Sequence, residues 1–196
     1  MNNLTKTSFP IIFFLLFNPL NAKETSKDSV DFYLNAVHNL VHNKNDFKEN
    51  FLDIEFLLDK NKNAQGKEKV LTLLNLFTVY IYKSAELANT YNEKAMLLSE
   101  KLAFKEGTLK ANYNRAYFLF VLGDFEESMK KVLEVQKVVG PSAYPEIYAD
   151  ISTLKSYIHS ERGEYDKALE TGLRLLDSAE KSKNDYLLMK ANSALS

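Results

Sequence analysis

A chain of 196 residues, 45% hydrophobic and 26% charged, has the composition of one soluble domain or a short repeat array. Its formal charge of −1 carries no basic excess to argue for nucleic-acid binding, and the absence of cysteine excludes disulfides, thiolate metal sites, a cysteine nucleophile and lipoprotein acylation. Only four prolines and six glycines interrupt it, which favours long helices over strands.

Residues 1–22 differ from the rest. Lys6 precedes the apolar run "FPIIFFLLF" at 9–17, and "NPLNA" ends in the small residue Ala22, the layout of a secretory signal peptide cleaved before Lys23. Nine apolar residues followed by Asn18 and Pro19 fall well short of the roughly 20 that cross a bilayer. Export without cysteine suits a bacterial periplasm or cell exterior. "KETSKDS" at 23–29 is a polar leader. Helical periodicity then runs to the end, with breaks at 43–46, 60–67, 105–107, 122–124, 140–145, 162–164 and 182–185, which mark about four helix pairs.

In the clearest pair, Gly123 is placed to stop the first helix in a left-handed conformation, and Asp124 with Glu127 to cap the second. The same demands return forty residues later: Gly123 and Gly163, Phe125 and Tyr165, Ser128 and Ala168 share that spacing, as do Ala88 with Ser128 and Ala116 with Ser156 and Ser196. Small residues belong where two helices cross closely. An aromatic beside the turn is expected to seal the gap between neighbouring hairpins.

These residues carry a family resemblance. "NRAYFLFVLGDFEESMKKV" and "KSYIHSERGEYDKALETGL" look like tetratricopeptide (TPR) repeats, with a small residue in the first helix, Gly-Asp/Glu-aromatic at the turn and a small residue in the second. "LLNLFTVYIYKSAELANTYNEKAMLLSEKL" at 73–102 resembles the same unit with Lys83-Ser84-Ala85 in place of the glycine turn, and Asn-Asp-Phe at 45–47 marks a degenerate first repeat or cap. Arg115 and Lys155 depart from the pattern where Leu is usual, as do Leu119 and His159 where an aromatic is usual. The resemblance implies an all-α, right-handed α-solenoid of antiparallel hairpins with a period of about 40. Its divisions are 30–66 (first repeat or cap), 67–107, 108–146, 147–183, and 184–196 as the start of a further repeat. The chain stops in mid-helix, so a longer protein is expected, against a short final helix that serves as its own cap.

Chemistry for an enzyme is thin. His38 and His42 stand four apart without the glutamate of a His-Glu-x-x-His motif, and no phosphate loop or Gly-x-Ser-x-Gly elbow appears. The expectation is no catalysis, no cofactor and no metal. His159 reads as a hydrogen-bonded interface residue. Carrying the family's groove positions over by register gives Leu74, Thr78 and Tyr82; Lys110, Tyr113, Tyr117 and Phe120; Asp150, Thr153, Tyr157 and Glu161; and Lys190 and Ser193. Tyrosine suits peptide recognition, while rings packed between repeats are the plainer alternative. The basic and asparagine set with which some TPR domains grip a terminal carboxylate is unmatched, because Tyr113 and Tyr117 fill its places. Two roles follow: an exported scaffold binding a protein or peptide, or the periplasmic sensory part of a regulator that continues into a histidine kinase or helix-turn-helix output, which the overall plan also resembles.

Overall fold

The computed structural model describes residues 54–196, which lie within one unit, Leu52–Ser196. The predicted signal peptide, the leader, His38, His42 and the Asn-Asp-Phe turn lie outside the described residues. Among the described residues the chain is wholly helical: α1 Ile54–Asn63, α2 Gly66–Tyr80, α3 Ala85–Lys101, α4 Lys105–Val121, α5 Phe125–Gln136, α6 Pro145–Glu161, α7 Tyr165–Ser182 and α8 Asp185–Leu195. None of these is long and apolar enough to cross a membrane.

Each helix packs on the next. In addition α2 touches α4, α4 touches α6 and α6 touches α8, whereas α3, α5 and α7 do not meet one another. The even-numbered helices therefore crowd together on one side while the odd-numbered ones spread on the other. Burial recurs with the helices. The covered seam of α3, Ala88, Asn92, Ala95 and Ser99, returns as Ser128, Val132, Val135 and Val139 along and just past α5, and as Ala168, Gly172, Leu175 and Ala179 in α7.

The small residues sit where the sequence placed them, at helix crossings, and they do more than leave space. Ser128 on α5 donates to the Ala116 carbonyl of α4 at 2.8 Å, while Ser156 on α6 donates to the Ala168 carbonyl of α7 at 3.0 Å. Serine and alanine have exchanged helices, but the contact is the same. Around them Ile151, Leu154 and Ile158 of α6 are almost wholly covered, each worth about 1.5–3 kcal/mol of burial.

The turns inside the hairpins form as expected. Gly123 (φ +80°) and Gly163 (φ +72°) take the left-handed conformation, and the next residues, Asp124 and Glu164, donate back to Leu119 and His159 at 2.9 and 2.8 Å. The Asp124 side chain caps α5 through the Glu127 N–H at 3.2 Å. Ser84, in the altered turn, likewise caps α3 through Leu87 at 3.3 Å.

Several sequence expectations need correction. The break expected at 105–107 falls at 102–104: Ala103, not a glycine, is left-handed (φ +50°), and Phe104 donates to the Ser99 carbonyl at 2.8 Å. Gly107 lies inside α4, where an added Cβ would come within 2.6 Å of Ser99 Oγ and of the Phe104 ring, so this glycine permits close helix approach. The break at 60–67 shrinks to residues 64–65, drawn tight by a Lys60–Glu68 ion pair of 3.1 Å and by Lys69 donating to the Asn61 carbonyl. Tyr165 seals nothing, being 71% exposed, whereas Phe125 packs against Phe120 at 5.6 Å between centroids. The residue in phase with Phe120 is Ser160, too small to meet the Tyr165 ring.

Candidate functional site

The closely spaced even-numbered helices each contribute one edge to a cleft of about 310 Å³, lined in part by Thr78 of α2 and Tyr82 just after it, Tyr113 and Tyr117 of α4, Asp150, Thr153 and Tyr157 of α6, and Lys190 and Ser193 of α8. Every one of these was placed on the groove by register. Helical spacing explains the convergence: Tyr113 and Tyr117, or Asp150, Thr153 and Tyr157, are three or four apart and share one helix face.

The rings form a connected ladder. Tyr82 meets Tyr117 edge-on at 6.4 Å, with their hydroxyls hydrogen-bonded. Tyr117 stacks on Tyr113 and on Phe120, both at 6.1 Å, and Phe120 reaches Tyr157 on the next hairpin at 6.4 Å. Packing and exposure divide along it. Tyr113, Tyr117 and Phe120 lean on the core built from Ala116, Val132, Ile151 and Leu154, while Tyr82 is 76% and Tyr157 37% exposed. Ring by ring, the α4 tyrosines pack partly on the core, while Tyr82 and Tyr157 are exposed.

Polar groups punctuate the cleft. Asp150 Oδ1 accepts from Tyr186 at 2.8 Å and pairs with Lys190 at 2.7 Å. The Thr153 hydroxyl shares its one proton between the Ala149 carbonyl of its own helix at 2.9 Å and the Lys190 carbonyl at 3.2 Å. Burial, and after it the Asp150 charge, hold the Tyr113 phenol well above its ordinary value; burial and the Tyr82 hydroxyl raise Tyr117, and burial and Asp150 raise Tyr186. These phenols stay protonated at neutral pH, the Tyr186 O–H donated to Asp150 and the Tyr117 hydroxyl bonded to that of Tyr82. Compared with protein-family models, curated proteins and solved structures, the chain matches none. The cleft is therefore read from its own chemistry.

Some register assignments land elsewhere. Leu74 is 5% exposed and belongs to the core with Val70 and Leu73, because α2 turns that position toward α3 and α4. Lys110 lines a separate cavity of about 250 Å³ with Tyr144 and Pro145, bonded to Glu106 at 2.9 Å and near Glu146 at 3.6 Å. Burial pulls its ammonium down, but the two glutamates outweigh that and hold it above the ordinary lysine value. Phe120 bridges the rings from beneath, and Glu161 sits exposed at the end of α6, away from the lining. Phe77, Ile81, Asn114 and Leu154, all buried, complete the lining unforeseen.

Other singled-out residues have structural partners. His159 Nδ1 meets Glu164 Oε2 at 2.5 Å, closing the α6–α7 turn and lowering the Glu164 carboxyl. Arg115 donates to Asn89 Oδ1 at 2.8 Å and lies over the Phe118 ring, so the position where leucine is usual holds a cross-helix clamp. Lys155 donates to Gln136 Oε1 at 3.2 Å, and burial followed by nearby Arg174 lowers its ammonium. Among the described residues no group of three metal-ligating side chains converges.

Proposed function

We propose that residues 67–196 form a TPR-like, right-handed solenoid with a forty-residue period, and that its even-helix face binds an extended peptide or protein segment without catalysis. The observation that carries this reading is the convergence of four successive even-numbered helices on one tyrosine-lined cleft. Supporting the period, α3, α5 and α7 begin at Ala85, Phe125 and Tyr165, and α4, α6 and α8 at Lys105, Pro145 and Asp185, with the buried seam in phase. A face walled by repeated helices suits a ligand that runs across repeats. Tyrosine supplies contact area and a hydroxyl at low rotamer cost. Export to the periplasm or cell exterior remains part of the proposal on the strength of residues 1–22 alone.

The test is selection of a random displayed heptapeptide library on the full chain, followed by the double variant Tyr82→Ala with Tyr157→Ala. The selected peptides should lose binding at least tenfold, about 1.4 kcal/mol, while far-ultraviolet helicity is kept and the midpoint falls only by the modest packing that Tyr157, 37% exposed, makes with Phe120. Undiminished binding to that variant would place the peptide site elsewhere.

A further inference from the structure

Resting on the peptide-groove reading, we propose that the cleft selects an arginine side chain, taking its guanidinium against Asp150 and the faces of the surrounding tyrosines. A volume of about 310 Å³ is at the small end of ligand pockets, on the order of ten waters, and fits one long side chain better than a folded element.

The lining decides the sign. In the cleft itself the charged groups are Asp150 and Lys190, paired with each other at 2.7 Å, while Lys110, Glu106 and Glu146 line the separate cavity. An acidic ligand would meet one ammonium that Asp150 already holds. A cation meets the second oxygen of Asp150 and the exposed rings of Tyr82 and Tyr157, whose quadrupoles attract it.

Geometry favours guanidinium over ammonium. Tyr186 and Lys190 both engage Asp150 through Oδ1, so Oδ2 is the remaining acceptor of a carboxylate that lines the cleft. A planar fork can take Oδ2 while stacking on a tyrosine ring, a combination that a tetrahedral ammonium does not offer. Lys190 is then a competitor: its ammonium holds the carboxylate in the unliganded state and is displaced or shared on binding.

The experiment uses the acetylated, amidated peptides Ala-Ala-Arg-Ala-Ala and its citrulline analogue, which keeps shape and loses charge, titrated against the full chain by NMR. The arginine peptide should bind about tenfold or more tightly than the citrulline one, the scale of a charge-assisted pair. Asp150→Asn, which keeps an acceptor for Tyr186, should erase most of that preference, and Lys190→Met should increase it severalfold by removing the competing cation. Equal binding of the two peptides overturns the arginine assignment, as does weaker arginine binding in Lys190→Met. If the displayed library yields Tyr82- and Tyr157-dependent peptides without arginine, the groove reading stands and this inference alone fails. If no peptide is selected at all, both fail.

Discussion

The tyrosine ladder predicts a separation of binding from folding that can be measured. Tyr82 is 76% exposed, so truncating it to alanine removes little buried area and one hydroxyl contact in water, costing no more than about 0.5 kcal/mol. Tyr113 is different. It stacks on Tyr117 and leans on the core of Ala116, Val132, Ile151 and Leu154, and a fully buried aromatic truncated to alanine costs about 3–5 kcal/mol. Tyr113 is only partly covered, so about 2–4 kcal/mol is expected for Tyr113→Ala, with the lost stacking included. For a chain of this size that is a drop of roughly 4–16 °C in midpoint, against no more than about 2 °C for Tyr82→Ala. Urea titration followed by far-ultraviolet circular dichroism reads both, with an unchanged slope confirming that compactness is preserved. Comparable destabilisation by the two substitutions, or a neutral Tyr113→Ala, would refute the division of the ladder into packed and outward rings. For this reason loss of binding in a Tyr113 or Tyr117 variant is not by itself a statement about recognition.

Three further outcomes follow from the packing and electrostatics. Gly172→Ala and Gly107→Ala each force a Cβ to within 2.6 Å of a neighbouring helix's atoms, Leu195 in one case and Ser99 in the other, and should cost about 1–3 kcal/mol by chemical denaturation; no loss would mean that the helices are not that close. Ser156→Ala should cost about 1–2 kcal/mol, more than Ser128→Ala, because the Ser156 hydroxyl shares its one proton between two carbonyls, Ala168 at 3.0 Å and Ala194 of α8 at 2.9 Å, whereas Ser128 serves one; equal costs would contradict it. Tyr113, Tyr117 and Tyr186 have folded-state values raised above the unfolded value of about 10, so their contribution is complete below about pH 10 and is lost as pH rises through the folded values. Thermal midpoints should therefore fall above pH 10, and tyrosinate absorbance should rise in two stages; simultaneous titration of all eleven tyrosines near pH 10 in the folded chain would refute the burial of these three.

Much of this was legible in the sequence because the signals are local. Gly123 and Gly163 stand where only a left-handed residue closes the turn cheaply, Asp124 has the capping chemistry, and Ala88, Ala116, Ser128, Ser156 and Ala168 repeat at one spacing because each crossing has room for little else. Register then placed Tyr82, Tyr113, Tyr117, Asp150, Thr153, Tyr157, Lys190 and Ser193 on a common surface, since residues three or four apart share a helix face whatever the packing. What escaped was non-local. The left-handed Ala103 carries no glycine to announce it, and Gly107 signals a turn by composition yet serves a helix contact with Ser99, a residue on the preceding helix. Periodicity alone put Leu74 in the groove, but the angle at which α2 meets its neighbours buried it.

The sequence by itself therefore determined the helical character, the Gly123 and Gly163 turns, the Asp124 cap and the small residues at which helices cross, because each rests on interactions within a few residues along the chain. Only the tertiary structure decided which rings pack and which face outward, that Lys110 and Asp150 occupy different cavities, and that Asp150 is shared by Tyr186 and Lys190. Those are contacts between residues thirty-six and forty positions apart, and they depend on how closely α6 and α8 approach, a distance set by side-chain volumes across the whole interface.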